Sequence, residues 1–346
     1  MKYSYTEDKN ASAPFRKEYY DSFYVMLDER RKTCDEKRKE YFERVKRDPE
    51  WARGEFIKML GWPLTEYGDA LPKVERIPVF SDSERTVEKL QLTMPIGIKF
   101  YGILMTHNGE GRRPLVITQH GGAGIPERLI GLFDGHTSNY NDIAERVFSR
   151  GVDVFLPGLF LWSEVYYEPR LDAEKTNNIV RRELDAKLKQ VGSSITAVEV
   201  YCIKKCIDYL SGEPRVDTDR IGMIGLSYGG FYTLFTAAAD TRIKAALASS
   251  QFNDRYEYSW PDWTWDKSAE KFLDAEVASL VYPRYLSLAV GDSDELFRAD
   301  LARAEYERMK GIMDTDGWLD FTVFSGNHEY VTTDAPVEKF IEKLNA

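Results

Sequence analysis

Six short apolar runs, at residues 115–117, 152–156, 221–225, 245–248, 285–290 and 321–324, divide most of the chain, and amphipathic stretches at 141–149, 195–210, 299–310 and 335–344 lie between most of them. A run of three to six apolar residues with no alternation reads as a strand buried on both faces. Such strands alternating with helices give a mostly parallel sheet covered on both sides. Ahead of them the period is two: Leu90, Leu92 and Met94 alternate with polar residues, and Ile98, Phe100, Gly102 and Ile103 follow a Pro-Ile-Gly turn. These read as antiparallel strands. The expected architecture is α/β, with a central sheet of about eight strands at residues 72–346. The chain has 346 residues, 43% of them hydrophobic, enough to bury a large core.

Residues 1–71 have a different texture. They are rich in Arg, Lys and Glu, with apolar residues at helical spacing (Phe23, Met26, Leu27; Phe56, Ile57, Leu60). Asp48-Pro49 separates two expected helices, and Gly61 with Pro63 ends the second. This N-terminal helical extension is expected to pack on the main domain, cover its site or make a homo-oligomer contact. Two further stretches break the alternation. Residues 159–191 are long, charged and aromatic and read as a surface excursion. Residues 253–278 contain YEYSWPDWTW between two expected strands and read as an aromatic cap. Cys202 and Cys206, one turn apart on an apolar helix face, read as small buried hydrophobes.

The sharpest chemical signal is Gly225-Leu226-Ser227-Tyr228-Gly229, set between the run 221–224 and the helix-like FYTLFTAAA. A strand–turn–helix context puts Ser227 on a tight turn at a helix N-terminus, as a nucleophile requires. A serine hydroxyl needs a base. Of four histidines, only His328 follows Ser227, in the loop SGNHEY after an expected strand. The acid that orients it is expected in Gly291-Asp292-Ser293-Asp294-Glu295, with Asp294 first and Asp292 the alternative. Two N–H groups should receive an oxyanion: that of Tyr228 and, from the loop Gln119-His120-Gly121-Gly122-Ala123-Gly124, that of Gly122, with Ala123 the alternative. His120 is read as a brace for this loop. In the cap, Tyr256, Tyr258, Trp260, Trp263 and Trp265 either pack its own core or offer a surface for substrate. Trp260, Trp263 and Trp265 are the candidate contacts.

These segments, with DTDRIGMIGLSYGG, GDSDELF and the final NHEY, resemble the α/β-hydrolase superfamily over residues 74–346. Within it they are most similar to the dienelactone-hydrolase-like, acetyl xylan esterase-like and prolyl-oligopeptidase-type catalytic domains. The resemblance implies an α/β-hydrolase fold and a Ser-Asp-His triad, with the acid commonly third after the glycine, as Asp294 is. It implies a serine esterase acting on a small ester, with an acetyl or carbohydrate ester as one version. A serine peptidase on short peptides and a non-catalytic binding protein on the same fold are the alternatives. A net charge of −10 disfavours nucleic acid. No metal or cofactor is expected, since neither H-E-x-x-H nor a phosphate-binding fingerprint occurs. No stretch reads as a signal peptide or a membrane span, so a cytoplasmic location is expected.

Overall fold

A computed structural model describes residues 7–132, 138–161 and 173–346. Among these residues a nine-stranded sheet has the order β1-β2-β3-β5-β4-β6-β7-β8-β9. Its strands are β1 (Lys73–Ser81), β2 (Arg85–Thr93), β3 (Lys99–His107), β4 (Arg113–Gln119), β5 (Asp153–Pro157), β6 (Val216–Leu226), β7 (Ile243–Ser249), β8 (Tyr285–Gly291) and β9 (Leu319–Phe324). The first three pair antiparallel, β3 joins β5 antiparallel, and β5 through β9 run parallel. The fold is that of an α/β-hydrolase. The strand added to the expected set is β1. It lies at the edge, nearly all its residues are exposed, and its register shifts between Pro78 and Phe80. An edge strand with a proline and no buried face leaves no hydrophobic period in the sequence.

The sheet separates two apolar cores. One holds Phe56, Leu60, Ile203, Phe231, Phe235 and Trp263, under the helices Ile195–Ser211 and Tyr228–Ala239. The other holds Ile143, Val147, Phe148, Tyr330 and Phe340, under Ile143–Phe148 and Ala335–Asn345. Cys34, Cys202 and Cys206 are free and buried.

The N-terminal extension forms two helices, α1 (Ala13–Arg47) and α2 (Pro49–Leu60). Asp48 caps α2 by accepting from Trp51 N–H at 3.0 Å, and Pro49 fills a first-turn position whose N–H has no helical partner. Gly61, at φ +99°, ends it, where a Cβ would lie 2.5 Å from Gly192 O. Phe56 and Leu60 are fully buried, and the Phe56 ring sits 5.4 Å from that of Phe235 on the helix after Ser227. At about 2–3 kcal/mol for each such side chain, α2 is a structural part of the core beneath the site. Only the second half of α1 is anchored, through Cys34, Arg38, Phe42 and Val45.

The stretch read as a surface excursion turns inward. Its residues 162–172 lie outside the described residues, but the helix Ala173–Gln190 buries Arg181 and Asp185. Between β7 and β8, residues 253–278 form short turns and helices. They are braced by Arg255, which donates to both Asp274 oxygens at 2.9 and 2.6 Å. They are tied to α1 by Arg31 with Asp254 and Glu257, and by Arg38 with Ala269 O. Among the described residues no helix is long and apolar enough to cross a membrane.

Candidate active site

The glycines around Ser227 are dictated by close approach. A Cβ on Gly225 would sit 2.3 Å from Gly229 C and O, and one on Gly229 would sit 2.2 Å from Gln119 O. Only without side chains can β6 turn into the helix Tyr228–Ala239 while β4 passes alongside. The turn leaves Ser227 at φ +59°, ψ −122°, at the helix N-cap. That left-handed backbone costs of order 1–3 kcal/mol in a non-glycine residue and holds the side chain clear of both strand and helix. Ser227 N–H donates to Ser249 O at 2.9 Å, and Phe231 N–H donates to Ser227 O at 2.9 Å.

The loops after β8 and β9 meet at the same end of the sheet. His328 Nδ1 lies 3.0 Å from Asp294 Oδ2. Asp294 Oδ1 accepts from the N–H groups of Leu296 and Phe297 at 2.9 and 2.8 Å, and this carboxylate is fully buried. It is thus fixed by two backbone donors before it meets the imidazole. Asp292 is exposed; its Oδ1 accepts from Ser293 Oγ and Gly326 N–H, which joins the two loops without touching His328. Phe297 stacks on His328 with centroids 5.6 Å apart. The histidine loop is linked to the serine turn: Ser249 Oγ and Ser250 Oγ donate to Glu329 O at 3.3 and 2.9 Å.

The glycine-rich loop after β4 flanks Ser227. A Cβ on Gly121 would lie 3.2 Å from Ser227 Cβ, and one on Gly122 would lie 3.5 Å from the Tyr228 ring. Ala123 N–H donates to Leu161 O at 2.7 Å. Among the described residues Gly122 N–H has no backbone acceptor, and Tyr228 N–H opens a helix, where amides lack helical partners. His120 is fully buried between Gly121 O (2.9 Å from Nδ1) and Leu159 N–H, which donates to Nε2 at 3.1 Å. Burial pushes its pKa down to about 4, so the neutral ring braces the loop.

Two groups that sequence reasoning missed complete the surroundings. Tyr140 OH accepts from Gly121 N–H at 3.0 Å, Asn139 O accepts from Tyr330 N–H at 2.7 Å, and Asn141 Nδ2 donates to Tyr330 O at 2.6 Å. Residues 139–141 therefore clamp the glycine loop to the histidine loop. On the other side, buried Arg181 donates to Asp262 Oδ2 (2.8 Å), Glu199 Oε2 (3.0 Å), Tyr232 OH (2.8 Å) and Phe160 O (2.8 Å). Burial opposes its charge, but Glu199 and its other partners more than offset this and raise its pKa well above the ordinary value. Tyr228 OH donates to the same Asp262 oxygen at 2.9 Å; burial, then Asp262, raise this phenol and keep it protonated. Arg181, Asp185 and Leu188 follow helical spacing, the one signal that would have turned Arg181 inward.

The three candidate tryptophans part company. Trp260 packs against Tyr228 (5.6 Å) and Phe297 (5.7 Å), beside the site. Trp263 is fully buried, stacked at 4.5 Å on Phe231, and has no surface to offer a ligand. Trp265 lies against Phe235 and lines a groove facing α1. Among the described residues no group of three or more His, Cys, Asp or Glu converges to hold a metal ion.

Comparison with known proteins gives overlapping matches. The family model for X-Pro dipeptidyl-peptidases (S15 family) matches residues 192–320, and that for the dienelactone hydrolase family matches residues 129–253. Both span Ser227. A Bacillus subtilis (strain 168) protein with the provisional name of hydrolase YtaP is 32% identical over 130 residues, 34% of this chain and 42% of that protein's length. Among solved structures, acetyl xylan esterase 1 from Thermoanaerobacterium sp. JW/SL YS485 superposes with a TM-score of 0.55 at 17% identity, over 84% of this chain and 98% of that one. A glucuronoyl esterase from Solibacter usitatus gives a TM-score of 0.57 at 13% identity, over 87% and 93%. The matched families and folds are all of α/β-hydrolase type.

Proposed function

Starting from the α/β-hydrolase fold, we propose that this chain hydrolyses carboxylic esters through a Ser227–His328–Asp294 triad and an acyl-enzyme. The observation that carries the reading is the pairing of a left-handed serine at a helix N-terminus with a histidine fixed by a buried, backbone-anchored aspartate. His328 commits Nδ1 to Asp294, so Nε2 is the nitrogen that takes the Ser227 proton as Oγ attacks the ester carbonyl. The negative oxygen is received by the N–H groups of Tyr228 and Gly122, aided by the positive end of the helix dipole. Collapse expels the alcohol, protonated by His328. Water activated by the same histidine then releases the acid. Asp294 holds the imidazole in one tautomer and stabilises its charged form.

Two structural neighbours are named as an acetyl xylan esterase and a glucuronoyl esterase, which favours an ester carried on a carbohydrate. Trp260, beside Tyr228, is the aromatic face suited to stack on a sugar ring. The test is turnover of p-nitrophenyl acetate and acetylated xylo-oligosaccharides, with fluorophosphonate labelling. Ser227→Ala should abolish labelling and lower kcat by about 10⁴–10⁶-fold. A wild type that neither labels nor turns over short acyl esters refutes the reading.

The S15 family match favours a second reading, a peptidase acting on short peptides. Dipeptidyl p-nitroanilides assayed beside the esters separate the two: a higher kcat/KM on an X-Pro anilide than on any ester selects the peptidase.

A further inference from the structure

The largest surface feature that ester hydrolysis leaves unused is the first half of α1. Residues 13–30 are helical and exposed throughout. At 3.6 residues per turn, Phe15, Tyr19, Phe23 and Met26 form one row, with exposures of 69, 69, 46 and 54%, and Tyr20, Tyr24 and Leu27 form the row beside it. The second row, with Tyr256 and Trp265 of the cap, lines an open groove of about 800 Å³. Arg16 lies between the two rows, and the remaining side of the helix carries Lys17 and the acids Glu18, Asp21, Asp28 and Glu29.

We propose that this apolar half-helix is the dimerisation surface of the protein, docking antiparallel on the same half-helix of a second copy and closing the groove against the cap. Two arguments select this occupant. The exposed side chains of the two rows present on the order of 800 Å², more than a monomer's largest patch usually holds and close to one partner's share of a standard interface of about 800 Å². The polar side is acidic, the wrong sign for an anionic lipid surface, which recruits helices with basic polar faces. A two-fold axis near Ser22 and Phe23 also makes the surface self-complementary, because it brings Tyr19 beside the partner's Met26.

The test is the mass of the full chain by light scattering and sedimentation across a concentration series, which needs no assumption about activity. The expected mass is twice that of one chain. Y19E/F23E, in which both substituted residues are exposed and outside the core, should weaken association by at least about 100-fold with an unchanged circular dichroism spectrum. Val25→Glu, on the polar side, should leave the dimer intact. As a check independent of those variants, Phe23→Cys should form a disulfide-linked dimer under oxidation and Val25→Cys should not. A monomer at every concentration, a dimer that survives Y19E/F23E, or a monomeric chain that co-sediments with phosphatidylglycerol vesicles overturns the proposal.

Discussion

Arg181→Met removes the one cation that the described residues place in a buried cluster and leaves two carboxylates behind. Arg181, Glu199 and Asp262 are all nearly inaccessible, and the guanidinium reaches both acids, the Tyr232 hydroxyl and a backbone carbonyl. The acids keep other donors: Tyr228 OH on Asp262, and Tyr232 OH with Phe160 N–H on Glu199. Their negative charge is then uncompensated in a low-dielectric interior. Breaking a buried pair in this way costs about 3–5 kcal/mol. At about 2 °C per kcal/mol for a chain of this size, the melting temperature should fall by ~6–10 °C in calorimetry. The triple variant R181M/E199Q/D262N buries no charge and should recover at least half of the loss. Because Asp262 also holds Tyr228, R181M should depress ester turnover at temperatures where it remains folded. An R181M protein melting within about 1 °C of the parent would show that the cluster does not contribute as the geometry implies.

Three other outcomes are expected. Asp294→Asn should lower kcat by up to about 10⁴-fold, since His328 loses the partner that sets its tautomer, while Asp292→Asn should stay within about threefold; the reverse result would reassign the acid. Tyr140→Phe deprives Gly121 N–H of its acceptor, which should cost about 1–2 kcal/mol and lower kcat at nearly constant KM; unchanged melting and kcat would discard the clamp. Burial holds His120 at about 4 in the folded chain, below its ordinary value of about 6.5, so the unfolded chain binds the proton first as pH falls. That contribution is complete above about pH 6.5 and drains away toward pH 4, about 3 kcal/mol in all, and His120→Gln should flatten the melting profile in that window.

How much of this was legible depended on how local each signal is. Strands β2 to β9 announced themselves because a buried strand must be apolar or alternating along its own length. The serine, the histidine and the acidic loop were legible because chain order left one histidine downstream and one acid-rich loop between. Arg181 was not, because its partners lie 18 and 81 residues away and a charged helix reads as solvated. Tyr140 gave no signal either, since one tyrosine among 21 is marked only by the amide it meets. The role of α2 was half legible: its period was plain, but that it faces Phe235 is a fact of packing.

The edge strand β1 has a consequence for solubility. Its Ile77, Val79 and Phe80 are partly exposed beside an open row of backbone groups, the arrangement through which chains recruit one another into extended aggregates. Glu75, Arg76, Pro78 and the register slip after Pro78 interrupt that template within nine residues. Pro78→Val, by restoring an unbroken β-forming segment, should shift this protein toward thioflavin-positive precipitate on prolonged mild heating, through an edge that the native sequence keeps out of use.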